Sequence, residues 1–418
     1  MQRGSIDTIH QRVQVTYDYP VHFTDDVFSA DNPIVRELCR ASVGRTSAKV
    51  LTVIDGGLTS VFPELVSQVE TYFADERTTA TLVQAPILVV GGEAIKNDHA
   101  AVTQIHEAIE GHGIDRHSYV IAIGGGALLD MVGYAAATAH RGVRLIRIPT
   151  TVLSQDDSGV GVKNSVNLFG KKNFLGTFAP PYAVVNDMQL LTRLPDREWV
   201  GGISEAVKVS LLKDADFFAY IEEHAADLVA RDVETMRWIV YRSAQLHLNH
   251  IATSGDAFEF GSSRPLDFGH WSAHKLEQIS NYRWRHGEAV SIGIAVDSTY
   301  AYLGGMLPEA DWKRIIQVFQ ALNLPIFAEE LQSVRAPDGT LAVLAGLNEF
   351  REHLGGQLTI MLLHGIANGF EVHEMDEARI IESIELLRGL QDAQNHNEEE
   401  RHGRQRREQL SPVSATAD

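Results

Sequence analysis

"YVIAIGGGALLD", residues 119–130, decides the fold. An apolar run meets three consecutive glycines, Gly124, Gly125 and Gly126, and passes straight into a helical pattern. A buried strand joined tightly to a helix is half of a β-α-β unit. Glycines at the join let a ligand approach the backbone, and the unpaired N–H groups of the first helical turn can face a phosphate. The spacing is not G-x-G-x-x-G, so the usual dinucleotide fingerprint is absent.

The same alternation extends outward from this stretch. "KVLTVID" (49–55), "PILVVGG" (86–92) and "VRLIRIPTT" (143–151) read as strands. "VFPELVSQVETYFAD" (61–75), "DHAAVTQIHEAIEGHG" (98–113) and "ALLDMVGYAAATAH" (127–140) read as helices. Strands apolar at nearly every position, separated by helices, predict a parallel sheet buried on both faces. The expected fold class is therefore α/β over residues 1–187, a Rossmann-like nucleotide-binding domain. Its candidate cofactor-binding residues lie at the carboxyl ends of the strands: Asp55, Glu93, Lys96, Gly125, Gly126, Asp130, Thr150 and Thr151. Asp55 is placed to accept from a ribose hydroxyl.

Beyond residue 188 long helical periods dominate, which predicts an all-α domain over 188–390. From 391 to 418 apolar residues almost vanish, and a disordered tail is expected. A chain of 418 residues accommodates two such domains. With 36 basic against 55 acidic residues, its net charge of −19 excludes non-specific nucleic-acid binding. An anionic small molecule stays open, because lysines can be concentrated locally. No apolar run is long enough to span a membrane, the first residues lack a signal-peptide core, and Cys39 is the single cysteine. A cytoplasmic location is expected.

Two stretches carry candidate chemistry. "SQDDSGVGVKNSVNLFGKKNFLGTFAPP" (154–181) reads as a long polar loop whose Asp157, Lys163, Lys172 and Asn173 can bind hydroxyls and a phosphate. "LDFGHWSAHKLE" (266–277) and "HGEAV" (286–290) crowd His270, His274, Glu277 and His286 together. On a helix, His270, His274 and Glu277 share one face. They are either a metal and proton-transfer site or ordinary helix packing; imidazole and carboxylate donors suit zinc and similar ions.

Taken in order, "GGGALLD", "RGVRLIRIPTT", "DSGVGVK", "KKNFLGTFAPP", "GGISEAVK", "FGHWSAH" and "HGEAV" resemble the motif series of the dehydroquinate synthase-like sugar phosphate cyclases, over roughly residues 48–390. The resemblance implies a dehydroquinate synthase-like fold, NAD, and a divalent metal (Zn²⁺ or Co²⁺) held by Glu205, His270 and His286. It implies a phosphate-eliminating carbon–oxygen lyase acting on a heptulose phosphate by oxidation, elimination, reduction and aldol closure. Lys163, Asp157, Lys208 and His274 are then the catalytic groups, and Asp157, Lys163 and Lys172 also meet the cofactor. Phosphate binding falls to Asn173, Lys208, His274 and Arg351. Arg141 matches the family arginine that reaches a neighbouring subunit's phosphate, so a homodimer is expected.

Dehydroquinate synthases bind a substrate carboxylate with an additional lysine upstream of the G-H motif. "AQLHLNHIATSGDAFEFGSS" (244–263) contains none, Asp267 stands where those enzymes have asparagine, and Arg264 sits six residues before His270. An aspartate repels a carboxylate. Both departures resemble cyclases acting on sedoheptulose 7-phosphate. His274 departs from the proline usual in 2-epi-5-epi-valiolone synthases, which favours a 2-epi-valiolone synthase. The alternatives are a 3-dehydroquinate synthase and a metal-dependent polyol dehydrogenase.

Overall fold

The computed structural model describes residues 8–258, 265–353 and 355–410. Seven strands form one sheet: β1 (Val21–Thr24), β2 (Ala48–Asp55), β3 (Ala80–Leu82), β4 (Ile87–Val89), β5 (Tyr119–Gly124), β6 (Arg144–Pro149) and β9 (Ala183–Asp187). Their order is β1-β9-β6-β5-β2-β3, with β4 also paired to β2, and every pairing is parallel. The period of two explains why β5 is apolar throughout. Tyr119, Ile121 and Ile123 pack into one layer with Val69, Tyr72 and Phe73 of helix α1 (Leu65–Ala74). Val120 and Ala122 pack into the other, against Ile105 of α2 (His99–Gly111) and Leu128 and Met131 of α3 (Gly126–Thr138).

The stretch 154–181, expected as a loop, is instead a turn of π-helix at Ser154–Ser158 followed by an antiparallel hairpin, β7 (Lys163–Leu168) and β8 (Lys171–Phe178). Its two-residue turn puts Phe169 and Gly170 at φ 54° and 71°. That geometry is the primed turn that suits strand twist, made here without the Asn-Gly pair that announces it in a sequence.

The second half is helical, around a large separate core. Its main helices are α4 (Ile203–Lys213), α5 (Val233–Thr253), α6 (His270–Ile279), α7 (His286–Leu303), α8 (Glu309–Ala321), α9 (Ala345–His353) and α10 (Glu377–Leu410). It is not wholly α, since β10 (Ile360–Gly365) and β11 (Asn368–Val372) form a hairpin that packs on α7 and α4. Helix α10 runs on past residue 391 to Leu410. Ile380, Ile384 and Leu387 are buried and anchor its start. Extending a nucleated helix costs far less than starting one, and this segment is rich in Glu, Gln and Arg. Among the described residues no helix is long and apolar enough to cross a membrane.

Helices α6 and α7 cross closely. Gly269, at φ 78°, begins α6, and a Cβ there would lie 2.6 Å from the Ile294 backbone nitrogen. The buried Asp297 of α7 accepts from the Gly269 N–H (3.0 Å) and the Trp271 indole (2.8 Å), on either side of His270. Burial pushes its carboxyl up to about 7.

Candidate active site

Between the carboxyl edge of the sheet and helices α4–α7 lies a cleft of about 1170 Å³. Its helical wall carries the histidine cluster. The Nε2 atoms of His270 and His286 lie 3.6 and 3.4 Å from the same oxygen, Oε1 of Glu205, which is 2% exposed. The other ring nitrogens are engaged elsewhere. His270 Nδ1 lies 3.1 Å from the Phe268 carbonyl, and His286 Nδ1 lies 3.2 Å from Glu277 Oε2. Both Nε2 atoms are thereby turned to one carboxylate, a donor set that fits a divalent cation able to displace their protons. His274 joins the cluster: nitrogens of His270, His274 and His286 lie within 4.8 Å of one another. A three-imidazole set and the set with Glu205 thus share two members.

The electrostatics of this wall are those of buried, paired charge. Burial raises Glu205, but Lys208 and then the two histidines outweigh it and hold it well below the ordinary range. Lys208 pairs with Glu205 and donates to Asp157 (3.1 Å); burial lowers it, yet Asp157 and Glu205 keep it high. Burial lowers His286, and Glu277 followed by Glu205 reverses this, raising it to about 9. Burial, then Lys172, pushes His274 well down.

On the sheet wall, Asp55 ends β2 and accepts from the Gly57 N–H (2.8 Å). Gly125 caps α3 and Gly126 opens it; a Cβ at Gly126 would come within 2.5 Å of Ser158 Oγ. Thr150 and Thr151 follow β6 and line the same cleft. Lys96, just after β4, is buried and bonds to Asp130 Oδ2 (2.7 Å) and to Asn173. The hairpin closes one side, carrying Lys163, Lys172 and Asn173 into the cleft. Lys172 lies 3.0 Å from both oxygens of Glu277 and 3.8 Å from Glu93. Asp157 and Asp267 also line the cleft.

Two expected residues are not brought there. Arg141 sits on an exposed turn at φ 63°, and Arg351 lies exposed on α9, bonded to Asn348; neither lines the cleft of its own chain. Arg264 lies outside the described residues.

Sequence reasoning missed Arg147, His247 and the partners of Glu277. Fully buried Arg147 spends its terminal nitrogens on the Gly159, Gly161 and Lys163 carbonyls (3.0, 2.9 and 2.8 Å) and on Asn164 Oδ1 (2.7 Å), tying β6 to the segment between Asp157 and the hairpin. Its signal was a charge in the middle of the apolar "LIRIP" (145–149). His247 lines the cleft with its Nδ1 3.7 Å from Asp157; burial lowers its pKa. His247, His250 and Ile251 share one face of α5, a spacing visible in "HLNHI".

A nucleotide-type sheet edge facing a buried carboxylate–imidazole cluster defines a two-half, cofactor-binding class of enzyme fold. Family models for the 3-dehydroquinate synthase N-terminal and C-terminal regions match residues 86–201 and 202–339. The chain is 36% identical over 304 residues to a 3-dehydroquinate synthase of Nitrosospira multiformis, covering 72% of this chain and 80% of that one. To the 3-dehydroquinate synthase of Geobacter sp. it is 39% identical over 242 residues, 58% of this chain and 66% of the relative. Among solved structures, a 2-epi-5-epi-valiolone synthase from Streptomyces hygroscopicus with NAD⁺ and Zn²⁺ bound aligns with TM-score 0.79 at 29% identity, covering 91% of this chain and 99% of that one. A glycerol dehydrogenase from Schizosaccharomyces pombe shares the fold at TM-score 0.59 and 16% identity, covering 94% of each. The chain belongs to the 3-dehydroquinate synthase family, within the sugar phosphate cyclase superfamily.

Proposed function

We propose that this enzyme is an NAD- and divalent-metal-dependent cyclase converting sedoheptulose 7-phosphate to a C7 cyclitol of the 2-epi-valiolone type, with release of phosphate. One observation carries the choice of substrate. The wall formed by α5 and the turn before α6 presents His247, His250, Ile251 and Asp267. Asp267 places a carboxylate on this wall, near a Lys208 already paired with Glu205 and Asp157; a substrate carboxylate set beside Asp267 meets like charge. A hydroxymethyl group meets no such penalty.

Glu205, His270 and His286 would hold the metal, and Asp55, Glu93, Lys96, Gly125, Gly126, Asp130, Thr150 and Thr151 the cofactor, with Lys172 alongside. When bound, the metal supplies Lewis acidity and NAD the hydride acceptor that is restored in each cycle. The chain's own residues do the remainder. Lys208 and Asp157, hydrogen-bonded across the two halves, orient the reacting hydroxyl, and Lys163 reaches it from the hairpin. Asn173, Lys208 and His274 would grip the phosphate, and His274 would pass a proton to the departing group. Closure between two walls keeps water from the enol intermediate. In a homodimer, Arg141 would serve the cleft of the adjacent copy, which accounts for its exposure.

A 3-dehydroquinate synthase is the second reading, favoured by the names of the curated relatives. The test is incubation with NAD and Co²⁺ or Zn²⁺, with phosphate assay and product NMR, against sedoheptulose 7-phosphate and its carboxylated heptulosonate counterpart. Phosphate and a cyclitol from the first are expected. Turnover of the second alone would overturn the reading, and net NADH accumulation would mark a polyol dehydrogenase.

A further inference from the structure

We propose that Glu277 is a positioning residue of the metal site, setting the orientation and proton placement of His286 from outside the ligand set. The two imidazoles nearest Glu205 are held by different means. His270 is fixed by a backbone carbonyl of its own turn, Phe268, which no substitution removes. His286 is fixed by a side chain, the Glu277 carboxylate 3.2 Å from its Nδ1. With Nδ1 donating to Glu277, the Nε2 lone pair faces Glu205 and His270. A carboxylate partner also makes the imidazole a better donor.

Glu277 is itself held from the far side of the cleft. It is 2% exposed, and both its oxygens lie 3.0 Å from the Lys172 ammonium, which β8 carries in from the sheet half. The chain of contacts Lys172–Glu277–His286 therefore joins the hairpin to the candidate metal centre. A carboxylate present only to neutralise Lys172 would need no contact with His286. One facing both groups from a single rotamer serves both.

The proposal rests on the reading of Glu205, His270 and His286 as ligands, and its test separates the two. Co²⁺ alone is titrated into the full chain, monitored by its visible absorption, with the melting temperature of each metal-free variant recorded. If the parent chain does not bind Co²⁺, or H270A binds as well as the parent, the ligand reading fails. Given binding, Glu277→Ala is expected to weaken Co²⁺ affinity by about 10- to 100-fold and to alter the band shape, as outer partners of metal-bound histidines do. Glu277→Gln keeps an acceptor for Nδ1 and recovers part of that loss; it also serves where the alanine variant fails to fold. Lys172→Met leaves the Glu277–His286 contact in place while removing Glu277's buried counter-charge, so it is expected to lower the melting temperature and to weaken Co²⁺ affinity less than Glu277→Ala does. The proposal is overturned if Glu277→Ala and Glu277→Gln both bind Co²⁺ within about threefold of the parent, or if Lys172→Met costs as much as Glu277→Ala.

Discussion

The two walls of the cleft are built on opposite principles. The sheet wall presents backbone: glycines at the α3 N-terminus and strand ends that open without side chains in the way. The helical wall presents charge taken out of water, with Glu205, Lys208 and Glu277 compensated by one another, by histidines, and by Asp157 and Lys172 reaching across from the sheet half. A backbone cradle tolerates many neighbours but no added Cβ. A buried ion cluster tolerates no missing member, because removing one leaves the others uncompensated.

That contrast breaks most severely at the helical wall. Glu205→Ala or His286→Ala is expected to abolish Co²⁺ binding and to reduce phosphate release by at least about 1000-fold, several kcal/mol of barrier. Retained Co²⁺ binding in both would remove the distinction. On the sheet wall, Gly126→Val should weaken NAD⁺ binding at least about tenfold, read by fluorescence titration, while Co²⁺ affinity stays within about twofold. Loss of both together would mean the walls are not separable.

A third test uses pH. The folded Asp297 carboxyl is raised to about 7 from its ordinary 3.8, so between those values the unfolded chain is ionised where the folded one is protonated. This group's contribution to stability is full below about 4 and falls as pH rises towards 7. Asp297→Asn should remove that decline, a difference of a few kcal/mol in denaturant melts compared at pH 4.5 and 7.5. Parallel pH curves for the two proteins would refute the assignment. Smallest of all, deleting 391–418 should shift stability by no more than about 0.5 kcal/mol, since Ile380, Ile384 and Leu387 all precede the cut.

The same contrast governs what could be read from the sequence. Gly124–Gly126 and "PTT" announce themselves locally, because a strand, a tight turn and a helix N-terminus are contiguous in the chain. Glu205, His270 and His286 come from three helices, and only the order of motifs joined them. The hairpin escaped notice because its turn is Phe169–Gly170, which carries no ordinary turn signature. Glu277 sat in plain view on the histidine face, but its partner Lys172 arrives from a distant strand. Arg147 was a charge within a buried strand, a signal of tethering that periodicity alone passes over.

The account turns on one ion shared by Glu205, His270 and His286. Anomalous scattering from crystals of the Zn²⁺-loaded protein tests it most directly. A single peak about 2.0–2.2 Å from Glu205 and from both Nε2 atoms is predicted. A peak coordinated by His270, His274 and His286 with Glu205 turned away, or none in the cleft, would contradict it.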